Sequence, residues 1–92
     1  MKTGRILRRL NACQEEVRRF VGLDPEAAYK KAATWRIVWL LAKLELLPAW
    51  GCKCGECFRA TATQLRAEYP WQLIVALLAE RGLAPDGYKA AP

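Results

Sequence analysis

Residues 24–48 read DPEAAYKKAATWRIVWLLAKLELLP, and this stretch decides the fold. Asp24 can cap free backbone amides, Pro25 fits a first helical turn, and Glu26 complements the positive end of a helix dipole. At the far end Pro48 disfavours helical backbone in the residue before it. Between these signals the spacing predicts one helix over 25–47, with Ala28, Ala32, Trp35, Trp39, Ala42 and Leu46 as its main apolar stripe. From Ile37 onward the segment is apolar almost all round and leaves only a narrow strip with Arg36 and Lys43. A helix of that kind is central, with neighbours on several sides.

The flanking segments supply those neighbours. Ile6, Leu10, Cys13, Val17 and Phe20 recur at steps of four, three, four and three, which predicts an amphipathic helix over 3–21 ending at Gly22. Arg5, Arg8, Arg9 and Arg19 fall on its opposite side with Glu15 and Glu16, and Glu15 with Arg19 forms a favourable i,i+4 pair. Beyond Pro48, Trp50, Cys54, Phe58, Thr61 and Leu65 keep helical spacing over 50–68. Gly51 and Gly55 each cost about 1 kcal/mol in a helix interior, so close approach to the central helix is the expected compensation. Pro70 forbids smooth continuation. A last helix over 70–81 turns Trp71, Ile74, Val75 and Leu78 inward and closes at Gly82. There is no strand alternation, so the expected fold is all-α: a single compact domain of four helices over 1–82, followed by a flexible tail over 83–92.

A length of 92 residues allows one core, and 53% hydrophobic content with four tryptophans is enough to fill it. Nine arginines and six lysines against nine carboxylates give a net charge of +6. That balance favours an anionic partner, such as nucleic acid, an acidic protein surface or a membrane face, although a merely solvated arginine face accounts for the same charge. The longest apolar run, Ile37 to Leu47, is too short to cross a bilayer and is broken by Lys43 and Glu45, so no membrane partner is expected. The amino-terminal residues lead into an amphipathic pattern and not a signal-peptide core, which points to the cytoplasm. Richness in Ala, Leu and Arg hints at a thermophilic source, in which intracellular disulfides also occur.

Catalytic chemistry has almost nothing to work with. The chain has no histidine and no serine, and Asp24 and Asp86 are its only aspartates. The carboxylate pairs Glu15/Glu16 and Glu45/Glu56 lack a histidine or metal partner. The expected protein is therefore not an enzyme and has no catalytic residues. The cysteines are the remaining chemical candidates. Cys13, Cys52, Cys54 and Cys57 match the ligand count of a structural zinc site. Their spacing is less apt, because only Cys54 and Cys57 form a C-x-x-C pair. The same pair at a helix start suits redox chemistry but lacks the βαβ surroundings of such motifs. Helical placement favours simple packing: Cys13 falls on the apolar stripe of the first helix, Cys54 and Cys57 on that of the third, and Cys52 points away.

Leu10-Asn11-Ala12-Cys13, then Pro25-Glu26-Ala27-Ala28-Tyr29, then Trp35 and Trp39-Leu40-Leu41 form a pattern that resembles a group of small helical proteins encoded largely in bacteriophage and bacterial genomes. The likeness extends over residues 6 to 65. It departs at Tyr29, where tryptophan is commoner, and at Arg36-Ile37-Val38 between the tryptophans. The resemblance implies an accessory protein of phage type, favours packed cysteines and brings no catalytic residues.

These readings converge on a small non-enzymatic binding protein. It would dock on a host or phage macromolecule through a basic face of Arg5, Arg8, Arg9 and Arg19, with Trp71 as the exposed aromatic beside a helix start. No cofactor is expected. The alternatives are a zinc-stabilised domain using the four cysteines and a homo-oligomer sharing the apolar central helix.

Overall fold

The computed structural model describes residues 1–46 and 61–88, and within them all regular secondary structure is helical, with no strand. Six helices occur among the described residues: α1 (Thr3–Arg9), α2 (Gln14–Phe20), α3 (Pro25–Lys31), α4 (Thr34–Lys43), α5 (Ala62–Glu68) and α6 (Trp71–Glu80). The all-α expectation therefore holds, but four helices become six, and each extra boundary has a local cause.

The expected helix over 3–21 breaks at Asn11. Its φ of 64° is left-handed, a conformation that asparagine tolerates better than most side chains. The Asn11 amide donates to the Arg8 carbonyl at 3.0 Å and the Ala12 amide to the Leu7 carbonyl at 2.9 Å. These are the two reverse bonds of a Schellman motif, so α1 is stopped by a built C-terminal cap. Two further helices end in the same way. Around α4, Glu45 takes the left-handed position at φ 62° and the Leu46 amide reaches back to the Leu41 carbonyl. Around α6, Gly82 takes it at φ 74° and the Leu83 amide reaches back to the Leu78 carbonyl. Glycine is suited to that conformation, whereas glutamate is strained in it.

The expected helix over 25–47 breaks at Ala32 and Ala33. Ala32 is extended at ψ 137°, and Ala33 caps α4 with ψ 160°. Alanine favours helix, but by less than 1 kcal/mol per residue over most alternatives, so a tertiary contact can override it. Arg66 of α5 supplies that contact. Its Nη1 donates to the carbonyls of Tyr29 (3.3 Å) and Ala32 (3.0 Å), satisfying groups that continued helix would have used. The helix start itself is as expected: Asp24 Oδ1 accepts from the Glu26 amide at 3.0 Å, with Pro25 in the first turn.

Residues 50–60 of the expected third helix lie outside the described residues. Thr61 opens α5 with a capping box, accepting from the Gln64 amide at 3.2 Å while the Gln64 side chain accepts from the Thr61 amide at 2.8 Å. Thr61-x-x-Gln64 is the sequence signature of a helix start, and it makes Thr61 a boundary and not a stripe residue. The last helix falls within one residue of its expected bounds.

One apolar cluster joins these elements. Ile37, Leu41 and Ile74 are fully buried, surrounded by Ile6, Leu10, Tyr29, Leu44, Leu65, Leu78 and Leu83. Each of the three fully buried side chains contributes about 1.5–3 kcal/mol of transfer free energy. The break before α4 also changes which of its faces is inward. The core takes the Ile37–Leu41–Leu44 stripe, whereas Trp35, expected on the main stripe, is 44% exposed. Tyr29 links the layers: its hydroxyl donates to the Tyr69 carbonyl, and its ring lies 5.8 Å from that of Trp71. Burial raises the Tyr29 pKa above the ordinary tyrosine value, with the Arg66 charge opposing.

The segment after α6 is tied down as far as it is described. Leu83 and Pro85 are buried, the Asp86 amide donates to the Met1 carbonyl at 3.0 Å, and the Met1 amine contacts both the Ala84 carbonyl and Asp86 Oδ1 at 2.7 Å. The flexible tail expected from residue 83 is instead packed over its first part, because Leu83 completes the α6 cap and core. Residues 89–92 of that expectation lie outside the described residues.

Candidate polyanion-binding face

α1 and α2 pack against each other, with Gly4 of α1 facing Val17 and Val21. A Cβ at Gly4 would stand 3.2 Å from a Val21 methyl, so the missing side chain lets the pair close. Arg5, Arg8 and Arg9 are exposed on α1, and Arg18 and Arg19 are exposed on α2. The Schellman turn at Asn11 thus distributes the expected single arginine face over two packed helices. Arg18 joins the set, although the helical projection omitted it. Glu15, Arg18 and Arg19 line a shallow surface depression.

None of these five arginines forms an ion pair with another described residue. The other described arginines are all engaged. Arg66 closes α3, Arg81 Nη2 lies 3.4 Å from Glu45 Oε2, and Arg36 holds Glu16 in a two-pronged pair, Nε–Oε2 at 2.7 Å and Nη2–Oε1 at 3.2 Å. Glu16, not Glu15, is therefore the paired carboxylate of α2, and its partner lies across the fold instead of one turn along. The Arg36 hydrogen bond holds the Glu16 carboxyl below its ordinary pKa. Burial opposes that shift, and the charges of Arg36 and Arg19 reinforce it.

Charge is unevenly divided along the chain. Residues 1–46 carry ten Lys and Arg against five carboxylates, and residues 61–92 carry three against three. The positive potential is thus concentrated on the amino-terminal half, where clustered cations attract polyanions.

Comparison of the chain with protein-family models, with curated proteins and with solved structures returns no match. Its functional reading therefore rests on the residues themselves.

Trp71, expected to be the exposed aromatic, is instead half-buried against Tyr29 and the core cluster, because its indole fills the junction between α3 and α6. Among the described residues the exposed tryptophan is Trp35, in the first turn of α4. The Arg36 guanidinium lies 4.3 Å from the centroid of its ring and 5.2 Å from that of Phe20. The break at Ala32–Ala33 was the signal needed to find it, since a helix starting at Thr34 already shows the alternative stripe Ile37, Leu41, Leu44.

Cys13 is exposed and sits at the N-cap of α2, not on an apolar stripe, because the Asn11 turn moves it out of helical register. Cys52, Cys54 and Cys57 lie outside the described residues. Among the described residues there is no cluster of three or more metal-ligating side chains. No helix among them is long and apolar enough to cross a membrane.

Proposed function

We propose that this chain is a non-enzymatic binding protein, of the accessory kind, that docks on a polyanionic macromolecule through α1 and α2. The partner class is the phosphate backbone of nucleic acid or a comparably acidic protein surface. One observation carries this reading: Arg5, Arg8, Arg9, Arg18 and Arg19 are exposed and without a described ion-pair partner, whereas Arg36, Arg66 and Arg81 are all committed to internal contacts. Arginines held for the fold and arginines presented to solvent are thereby separated in one small domain. A guanidinium presents a planar fork of donors suited to phosphate and carboxylate, and its charge stays on at any physiological pH. The +4 balance of residues 1–20, six cations against two glutamates, adds long-range attraction.

The test is the salt dependence of association with a labelled nucleic acid and with a polyglutamate peptide. Binding that weakens linearly on a log–log plot, with several counterions released, supports the reading. The absence of salt-sensitive association with either polyanion removes it.

A further inference from the structure

We infer that Trp35, braced by Arg36, is a base-stacking platform and that the polyanion is a single-stranded nucleic acid. This rests on the polyanion reading above and narrows it to one partner.

Trp35 stands at the start of α4 with close to half of its surface in solvent, while the chain's core takes the other stripe of the helix. An isolated exposed apolar residue needs no explanation. Trp35 differs in being fixed. The Arg36 guanidinium lies over its ring at 4.3 Å and over Phe20 at 5.2 Å, and the same guanidinium is anchored by two bonds to Glu16 of α2. The chain of contacts runs from a helix-borne carboxylate through a planar cation to the indole. A ring held in this way loses little conformational entropy when a flat partner stacks on it.

The surroundings match a nucleic acid strand. Arg19 follows Glu16 by three residues on α2, so an exposed cation lies one helical turn from the carboxylate that anchors Arg36. Exposed aromatic surface close to an exposed cation is the combination that binds single strands, with bases stacking on the ring and phosphates meeting the charge. Duplex bases are already stacked on one another and cannot use the indole. Phosphate attraction alone would instead favour the duplex, whose charge density is higher. Strand preference therefore separates the platform from plain electrostatics.

The experiment uses the full chain with a labelled oligodeoxythymidylate of about twenty nucleotides, a duplex of equal length, and vesicles of phosphatidylcholine with phosphatidylserine. Trp35→Ala and Trp35→Phe are compared with the unaltered protein after circular dichroism has established that each is folded. The expected result is tighter binding to the single strand than to the duplex. Trp35→Ala should lose about tenfold on the single strand and leave the duplex unchanged, and Trp35→Phe should retain most of the affinity. Equal affinity for both strands, or an unchanged Trp35→Ala, overturns the platform while leaving the polyanion reading in place. Trp35-dependent binding to the vesicles without oligonucleotide binding overturns it in favour of a membrane surface. Failure of every polyanion to bind in a salt-sensitive way removes the underlying reading instead.

Discussion

In α1 and α2 the arginines face solvent and make no ion pair with a described residue, whereas across α4, α5 and α6 each described arginine holds a particular carbonyl or carboxylate. The aromatic residues divide in a related way. Tyr29 and the half-buried Trp71 pack against each other at the core, and Trp35 and Phe20 sit beneath a guanidinium at the boundary between the two regions. One region is organised by burial and directed hydrogen bonds, the other by charge presented outward. The lesson is that net charge is a poor guide to a basic site until each cation has been assigned a partner or none.

The difference can be tested by perturbing each side. The largest effect belongs to the core: Leu41→Ala should cost about 2–5 kcal/mol in denaturant unfolding, because a fully buried side chain leaves a cavity. Arg66→Met comes next. It keeps the aliphatic stem but leaves the Ala32 carbonyl without its side-chain donor and the Tyr29 carbonyl with only the Ala32 amide, for an expected loss of about 1–3 kcal/mol in the same assay. A change below 0.3 kcal/mol would show that the α3–α4 break does not depend on this arginine.

The Glu16–Arg36 pair is the bridge between the regions and gives a pH signature. The folded pKa of Glu16 lies below its ordinary value of 4.5, so the stabilisation it brings is fully present above that pH and fades as pH falls through the lowered value. Asp86 is shifted in the same direction by the Met1 amine, and the comparison must therefore be differential. Glu16→Gln should flatten the acid limb of stability against pH relative to the unaltered chain. Parallel acid limbs would mean that the pair contributes nothing to folding. The smallest of these effects is expected at Glu45, which holds a left-handed conformation with its side chain largely exposed. Glu45→Gly should raise stability by about 0.5 kcal/mol, relief of strain being partly offset by greater freedom of the unfolded chain and by loss of the exposed Arg81 pair.

These perturbations also show what the sequence could convey. Asp24-Pro25 at one helix start and Gly82 at one helix end were legible because each depends on a local preference strong enough to act alone. Asn11 was legible in principle, as the only asparagine in the chain, but the apolar spacing from Ile6 to Phe20 continues through it without interruption. The Ala32–Ala33 break was not legible, because its cause is an arginine more than thirty residues away. With the break, α4 buries Ile37 and Leu41 and leaves Trp35 exposed. The candidate site was half legible for the same reason. Arg5, Arg8, Arg9 and Arg19 could be read from helical projection, whereas Trp35 required the tertiary structure.

The central claim is that the α1–α2 arginines serve binding and not folding. The most direct measurement replaces Arg5, Arg8, Arg9, Arg18 and Arg19 together by glutamine and follows both thermal melting and the salt dependence of oligonucleotide binding. The variant should stay folded with a modestly lowered melting temperature, since each exposed substitution changes stability by about 0.5 kcal/mol or less and Arg8, Arg9, Arg18 and Arg19 leave last helical turns, and its binding and salt slope should largely disappear. A variant that binds as before would contradict the account, and so would one that no longer folds.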